Sequence, residues 1–348
     1  MSFLHVIAWI MAALAASLAA VPALAGDAPA QAFSDVVFGD YSPLSSNAEL
    51  ARRLLSPLAE AHLAQALTES GKKLTEQAID LSAEQFALYV PSRRPPRGYA
   101  LLVFVPPWRE AKLPRGWAPV LDQYGVIFVS AARSGNDASV LGRRAPLALL
   151  AEQNVVDRYP LDPERIYIAG FSGGSRVAMR LALGYPDTFR GVILNAGSDP
   201  IGGADIPLPP RDLFFRFQSS TRVVYVTGER DFSHLREDTA SIASMQRWCV
   251  LDVQDHVTLL ANHAVADPGA LSRALEALQD PARTDPDRLT ACRSAIQKDL
   301  AATIQQVESL IANGKRDAAQ ALLSQIDRNF GGLAAPRSVD LARVLLQK

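Results

Sequence analysis

The run Ile166-Tyr167-Ile168-Ala169-Gly170-Phe171-Ser172-Gly173-Gly174-Ser175-Arg176 constrains this chain more than any other stretch. Ile166 to Ala169 is a short apolar run that suits a buried parallel strand. Gly170 to Gly174 fits G-x-S-x-G, a tight turn that lifts a serine hydroxyl clear of a sheet. Val177, Ala178, Leu181 and Ala182 then recur at helical spacing. Side chains larger than hydrogen at the glycines would strike the strand or the helix. A helix that starts just after Ser172 aims its first N–H groups and its dipole at the space beside the hydroxyl, where a negative oxygen can be held. The pattern alone arises by chance in roughly one chain of this length in ten. Its strand–turn–helix setting therefore carries the argument.

Around this turn, strands and helices alternate. Residues 99–105, 126–130, 166–169, 191–195, 223–227 and 257–260 read as strands, and 146–159, 236–248 and 268–278 as helices. Such alternation predicts an α/β fold: a mostly parallel sheet with helices on both faces, and a site beyond the carboxyl ends of the strands. Upstream, 26–45 reads as a leader with little structure and 49–67 as one amphipathic helix. Residues 74–81 and 85–90 read as an antiparallel hairpin at the sheet edge. Trp108 and Trp117 fall in a loop. After a Pro/Asp/Arg-rich linker at 281–287, residues 289–313 and 316–329 form a helical hairpin, with a further helix at 339–346. The expected division is a signal segment at 1–25, a leader and helix at 26–72, the main domain at 73–280 and a C-terminal helical appendage at 281–348.

At 348 residues the chain can bury a large core, and its net charge of −1 gives no footing for nucleic acid or an acidic membrane surface. No P-loop, G-x-G-x-x-G or closely spaced His/Cys/carboxylate cluster stands out, so neither a nucleotide cofactor nor a metal is expected. Residues 6–20 are apolar and Ala23-Leu24-Ala25 suits a signal peptidase. This predicts a periplasmic or secreted protein with no membrane anchor after processing. In an exported chain, the two cysteines, Cys249 and Cys292, are expected to pair.

A serine nucleophile needs a base within hydrogen-bond reach and an acid to hold that base. Asp231 follows the 223–227 strand and His263 follows the 257–260 strand, which gives the order Ser, Asp, His. Asp199 is the rival acid, and Asp205 and Asp212 are weaker ones. His234 and His256 are lesser rivals for the base, while His62 reads as a surface residue on a helix.

The runs Gly-Phe-Ser-Gly-Gly-Ser-Arg-Val-Ala-Met, Thr-Gly-Glu-Arg-Asp-Phe and Asn-His-Ala-Val-Ala-Asp resemble the α/β-hydrolase superfamily. Within it the chain is similar to secreted bacterial esterases of the polyhydroxybutyrate-depolymerase and feruloyl-esterase type, over roughly residues 74–278. The resemblance implies a triad of Ser172, Asp231 and His263. It also implies an oxyanion hole from the Gly173 N–H and a second donor in the loop after the 99–105 strand. There the chain departs from the His-Gly pattern of such esterases and reads Pro106-Pro107-Trp108. Proline has no N–H, so Trp108 or Arg109 must supply that donor.

The expected function is hydrolysis of carboxylic esters, small or polymeric, through an acyl-enzyme on Ser172. Two other readings fit the same residues: a binding or scaffold protein with little turnover, motivated by the Pro-Pro-Trp loop, and a serine peptidase.

Overall fold

The computed structural model describes residues 29–280 and 284–346. The 1–25 segment lies outside the described residues. The strands are β1 (Gln31–Val36), β2 (Phe86–Val90), β3 (Tyr99–Val105), β4 (Val126–Ala131), β5 (Leu161–Phe171), β6 (Gly191–Asn195), β7 (Arg222–Gly228) and β8 (Val253–Thr258). They form one sheet in the order β1-β2-β4-β3-β5-β6-β7-β8. β1–β2 and β2–β4 are antiparallel, and the other pairs are parallel.

The central strands are apolar throughout because both faces are covered. Along β3, Leu101, Val103 and Val105 enter one core, while Ala100, Leu102 and Phe104 enter the other. The second core is closed by α3 (Trp117–Tyr124) and α8 (Pro268–Gln279). The first is closed by α4 (Ala145–Val156) and α5 (Gly173–Gly184). After β4 the chain crosses back over β3 to lay down β5. The loops that leave β3 and β5 therefore diverge, and a crevice opens at their carboxyl ends.

Several sequence expectations are corrected. The partner of β2 is β1, drawn from the stretch read as leader, and 74–80 forms no strand. Local side-chain bonds compete with a ladder there: Asp80 accepts from Ser82 N at 3.0 Å and Gln77 Nε2 donates to Ser45 Oγ at 2.6 Å. The single helix at 49–67 is two, α1 (Asn47–Leu54) and α2 (Pro57–Ser70). Ser56 caps the second and Pro57 occupies its first turn, where a missing N–H costs nothing. Trp117 opens α3 rather than lying in a loop, and α6 (Arg211–Ser220) occupies the excursion that holds Asp212. The last strand sits earlier than expected, so His256 lies inside β8.

Beyond α7 (Phe232–Arg247), β8 and α8, the chain ends in α9 (Pro286–Ala312), α10 (Arg316–Phe330) and α11 (Arg337–Leu346). Cys249 and Cys292 are bridged, with Cα atoms 5.9 Å apart, and the bridge ties α9 to the segment before β8. Arg293 adds a hydrogen bond to Gln218 Oε1 at 2.6 Å. Among the described residues, no helix is long and apolar enough to cross a membrane.

Candidate active site

β5 delivers Ser172 at φ 54° and ψ −125°, a conformation that an L-residue adopts only under strain. Surrounding structure holds it there. Its N–H donates to Asn195 O at 2.8 Å, and its carbonyl accepts from Ser175 N at 3.0 Å. Gly174 lets α5 come down onto β3, since a Cβ at that position would lie 2.0 Å from Val105 O. The nucleophile candidate thus stands at the crevice that the strand order creates.

Asp231 and His263 arrive from β7 and β8. Asp231 lies just past β7 and starts α7, and His263 follows the turn after β8. The two loops touch closely: a Cβ on Gly228 would be 2.5 Å from the carbonyls of Ala261 and Asn262. Arg230 N donates to Ala261 O at 2.9 Å, and Leu260 N donates to Glu229 Oε2 at 2.8 Å. From β6, Asn195 holds the far side of the His263 loop. Its Oδ1 accepts from Ala266 N at 2.7 Å, and its Nδ2 donates to Val226 O at 2.8 Å. Sequence reading passed over Asn195; its signal is an amide that ends an otherwise apolar strand.

The fold brings the three expected side chains together. His263 Nε2 lies 3.1 Å from Ser172 Oγ, and His263 Nδ1 lies 2.6 Å from Asp231 Oδ2. His234, the lesser rival for the base, is also present: its Nδ1 lies 2.7 Å from Asp231 Oδ1. Desolvation opposes the Asp231 charge, yet the hydrogen bonds from His234 and His263 outweigh it and hold the carboxyl below its ordinary range. The other candidates are elsewhere. Asp199 pairs with Arg176 Nε at 3.0 Å, Asp205 gives its carbonyl to Arg180, and Asp212 sits in the first turn of α6. His256 lies 3.3 Å from Gln254 Oε1, and His62 is exposed on α2.

The two oxyanion candidates lie at the start of α5 and after β3. The Gly173 N–H has no acceptor within the helix, as any first-turn N–H lacks one. The carbonyls of the Pro106–Trp108 loop are held from the loop after β4. Asn136 N donates to Pro107 O at 3.1 Å, and the buried Arg144 donates to Pro106 O and Ser134 O at 3.0 Å each. Burial lowers the Arg144 guanidinium to about 10. The Trp108 ring packs against Phe104 and Phe171, and a Cβ on Gly174 would lie 3.1 Å from Pro106 C, so the loop runs beside the start of α5. A cavity of about 510 Å³ opens beside Gly173, lined by Leu54, Asn136, Val140, Arg144 and Val177 among others. Asp231, His234 and His263 also form the cluster closest to a metal-ligand set among the described residues, which linear spacing did not reveal.

Residues 128–244 match the family model described as Esterase PHB depolymerase. The match includes Ser172 and Asp231 and stops short of His263. A poly(3-hydroxybutyrate) depolymerase of Ralstonia pickettii is 32% identical over 98 residues, covering 24% of this chain and 20% of the depolymerase. The matched stretch thus spans about a fifth of that relative's length. Among solved structures, an S-formylglutathione hydrolase of Staphylococcus aureus superposes with a TM-score of 0.45 at 13% identity, over 57% of this chain and 93% of that one. A ferulic acid esterase gives 0.41 at 16% identity, over 55% and 88%. The chain has an α/β-hydrolase fold and, across its central segment, resembles the esterases of the polyhydroxybutyrate-depolymerase type.

Proposed function

We propose that the protein is an exported serine hydrolase that cleaves carboxylic esters. The observation that carries this reading is the line of contacts Ser172 Oγ–His263–Asp231, at 3.1 and 2.6 Å, at the tip of a strained strand–helix turn. In the proposed reaction His263 Nε2 takes the hydroxyl proton as Ser172 Oγ bonds to the ester carbonyl carbon. The tetrahedral oxyanion is held by the N–H groups of Gly173 and Trp108. Collapse expels the alcohol, which takes the proton from His263, and leaves an acyl group on Ser172. Water, deprotonated by the same nitrogen, then releases the acid and restores the hydroxyl. Asp231 keeps the Nδ1–H tautomer and balances the imidazolium charge.

Export is supported by the apolar N-terminal run and by the Cys249–Cys292 bridge, which belongs to an oxidising compartment. An ester substrate, small or polymeric, is proposed from the family match rather than from the cavity, whose lining is mixed. The test is a panel of short-chain, aryl and polymeric esters beside peptide amides, together with labelling by a reactive phosphonate. Ester turnover and a single adduct on Ser172 are expected. Labelling elsewhere, or faster amide than ester cleavage, would overturn the reading.

A further inference from the structure

Asp231 serves two imidazoles, and the proposed reaction uses only one of them. Its Oδ2 accepts from His263 Nδ1 at 2.6 Å, while its Oδ1 accepts from His234 Nδ1 at 2.7 Å and from Ser233 Oγ at 3.3 Å. The His234 ring also lies on the His263 ring, with centroids 4.3 Å apart and planes 14° from parallel. The Phe171 ring also lies against His263, with centroids 4.8 Å apart and planes 31° from parallel.

We propose that His234 is a positioning residue for ester hydrolysis: it fixes the Asp231 carboxylate and the His263 ring together, without touching substrate. This rests on the reading of the site as an esterase. The need for such a residue follows from where the parts sit. His263 lies on a loop with its side chain 39% exposed, so little else confines its ring. His234 stands in the first turn of α7 with a side chain only 18% exposed, on rigid backbone. A carboxylate is free to turn about its terminal torsion. With Oδ1 committed to His234, Oδ2 is left pointing at His263. With the Phe171 and His234 rings both packed on it, the His263 ring keeps its plane, and Nε2 stays aimed at Ser172 Oγ.

The neighbouring charges fit the same role. His234 Nε2 lies 3.9 Å from Glu237 Oε2, which also accepts from Arg176 Nη2 at 2.6 Å. His234 is thus held at Nδ1 by the Asp231 cap of α7, with the Glu237–Arg176 pair standing beside its other nitrogen. A shared metal is the competing use of Asp231, His234 and His263, whose ligand atoms lie within 4.8 Å of one another. The stacking argues against it. Nitrogen lone pairs lie in the ring plane, and two nearly parallel planes do not converge on one ion.

The experiment separates the two contacts of His234. H234F keeps a flat ring over His263 and removes the donor to Asp231. H234N keeps a donor near the Nδ1 position and removes the ring. Steady-state kinetics on a soluble aryl ester, the rate of phosphonate labelling of Ser172 and the melting temperature are measured for both. H234F is expected to lower kcat roughly ten- to hundredfold with KM within about twofold, as misplacement of a reacting group does. H234N is expected to recover most of that loss. In a D231N background H234F should have little further effect, because His234 acts through the carboxylate. Wild-type kcat in both single variants would overturn the proposal. So would a rise in KM alone, which would place His234 against substrate, or a full additional loss in the D231N background. Absence of wild-type ester turnover and of Ser172 labelling would instead remove the esterase reading, and this proposal with it.

Discussion

At the carboxyl ends of the strands, the backbone is strained and side chains are aimed into open space. In α9, α10 and α11 neither is true. Five non-glycine residues have positive φ among the described residues, and four of them, Arg133, Ser172, Ala196 and Leu260, lie just past β4, β5, β6 and β8. None falls in the C-terminal helices. The use of aspartate differs in the same way. Asp231 holds two imidazoles beside Ser172, whereas Asp285 caps α9 and Asp327 accepts from Ser56 and from the Leu58 N–H of α2. One region holds strained backbone around the proposed site, and the other spends its polar groups on closing helix ends.

The largest expected effect tests the strained region. Ser172→Ala should abolish ester turnover and leave the melting temperature close to that of the wild type, since the turn accepts a smaller side chain. Asp231→Asn should lower kcat by about ten-thousandfold, by favouring the wrong imidazole tautomer. Asp199→Asn, which loosens Arg176 and Arg180 instead, should leave kcat near the wild-type value. A silent Asp231→Asn would move the acid elsewhere and break the comparison at its centre.

The bridge is the corresponding test of the appendage. Cys249 and Cys292 are 43 residues apart, so loop-closure entropy gives the disulfide about 4 kcal/mol. The double Cys→Ala variant should lose stability on that scale in urea unfolding, with kcat unchanged at temperatures where it stays folded. A matching fall in kcat would place the helical tail within the catalytic unit.

Legibility in the sequence follows the same division. The elbow and Asp231 could be read from order, because each stands just beyond a short apolar strand, whereas His263 was placed from a run at 257–260 that is largely turn, since β8 ends at Thr258. The contacts of His234 with Asp231 and His263 could not be read. They depend on α7 starting at Phe232, one turn before the helix expected from residue 236, which folds His234 back over His263. β1 was missed because its residues are mostly exposed and carry no apolar period. It exists because β2 offers an open edge. Asn195 and Arg144 were missed because their partners are backbone carbonyls and N–H groups of distant loops, to which composition and spacing are blind.

A buried carboxyl with no hydrogen-bond partner among the described residues sharpens the contrast through pH. Burial pushes Glu152 of α4 up to about 7, with Asp157 and Asp187 adding repulsion. Between its unfolded value of 4.5 and about 7, the folded protein keeps a proton that the unfolded chain has lost. Stability must therefore fall as pH rises through that window and level off above it. Glu152→Gln removes the slope. Near pH 5 the variant should match the wild type, and near pH 8 it should be more stable by up to about 3 kcal/mol, as read from urea midpoints at each pH. A wild-type profile that rises across the window would contradict the assignment.

Asp327 gives the smallest effect and the closest counterpart to Asp231. It is 8% exposed and accepts from Ser56 Oγ at 2.5 Å and Leu58 N at 3.0 Å, so it joins α10 to the start of α2. Asp327→Ala leaves that N–H buried without a partner, at a cost of about 1–2 kcal/mol. Asp327→Asn keeps an acceptor and should lose less. The urea midpoint should drop while its slope stays constant, since the unfolded surface is unchanged. Ser56 also lines the cavity beside Gly173, so through this cap the tail touches a wall of that cavity. If the cap is only structural, kcat and KM on a soluble ester stay at wild-type values in both variants. If KM rises in Asp327→Ala and returns in Asp327→Asn, the tail shapes the substrate cavity through Ser56, and the line between the two regions runs through α2 rather than before α9.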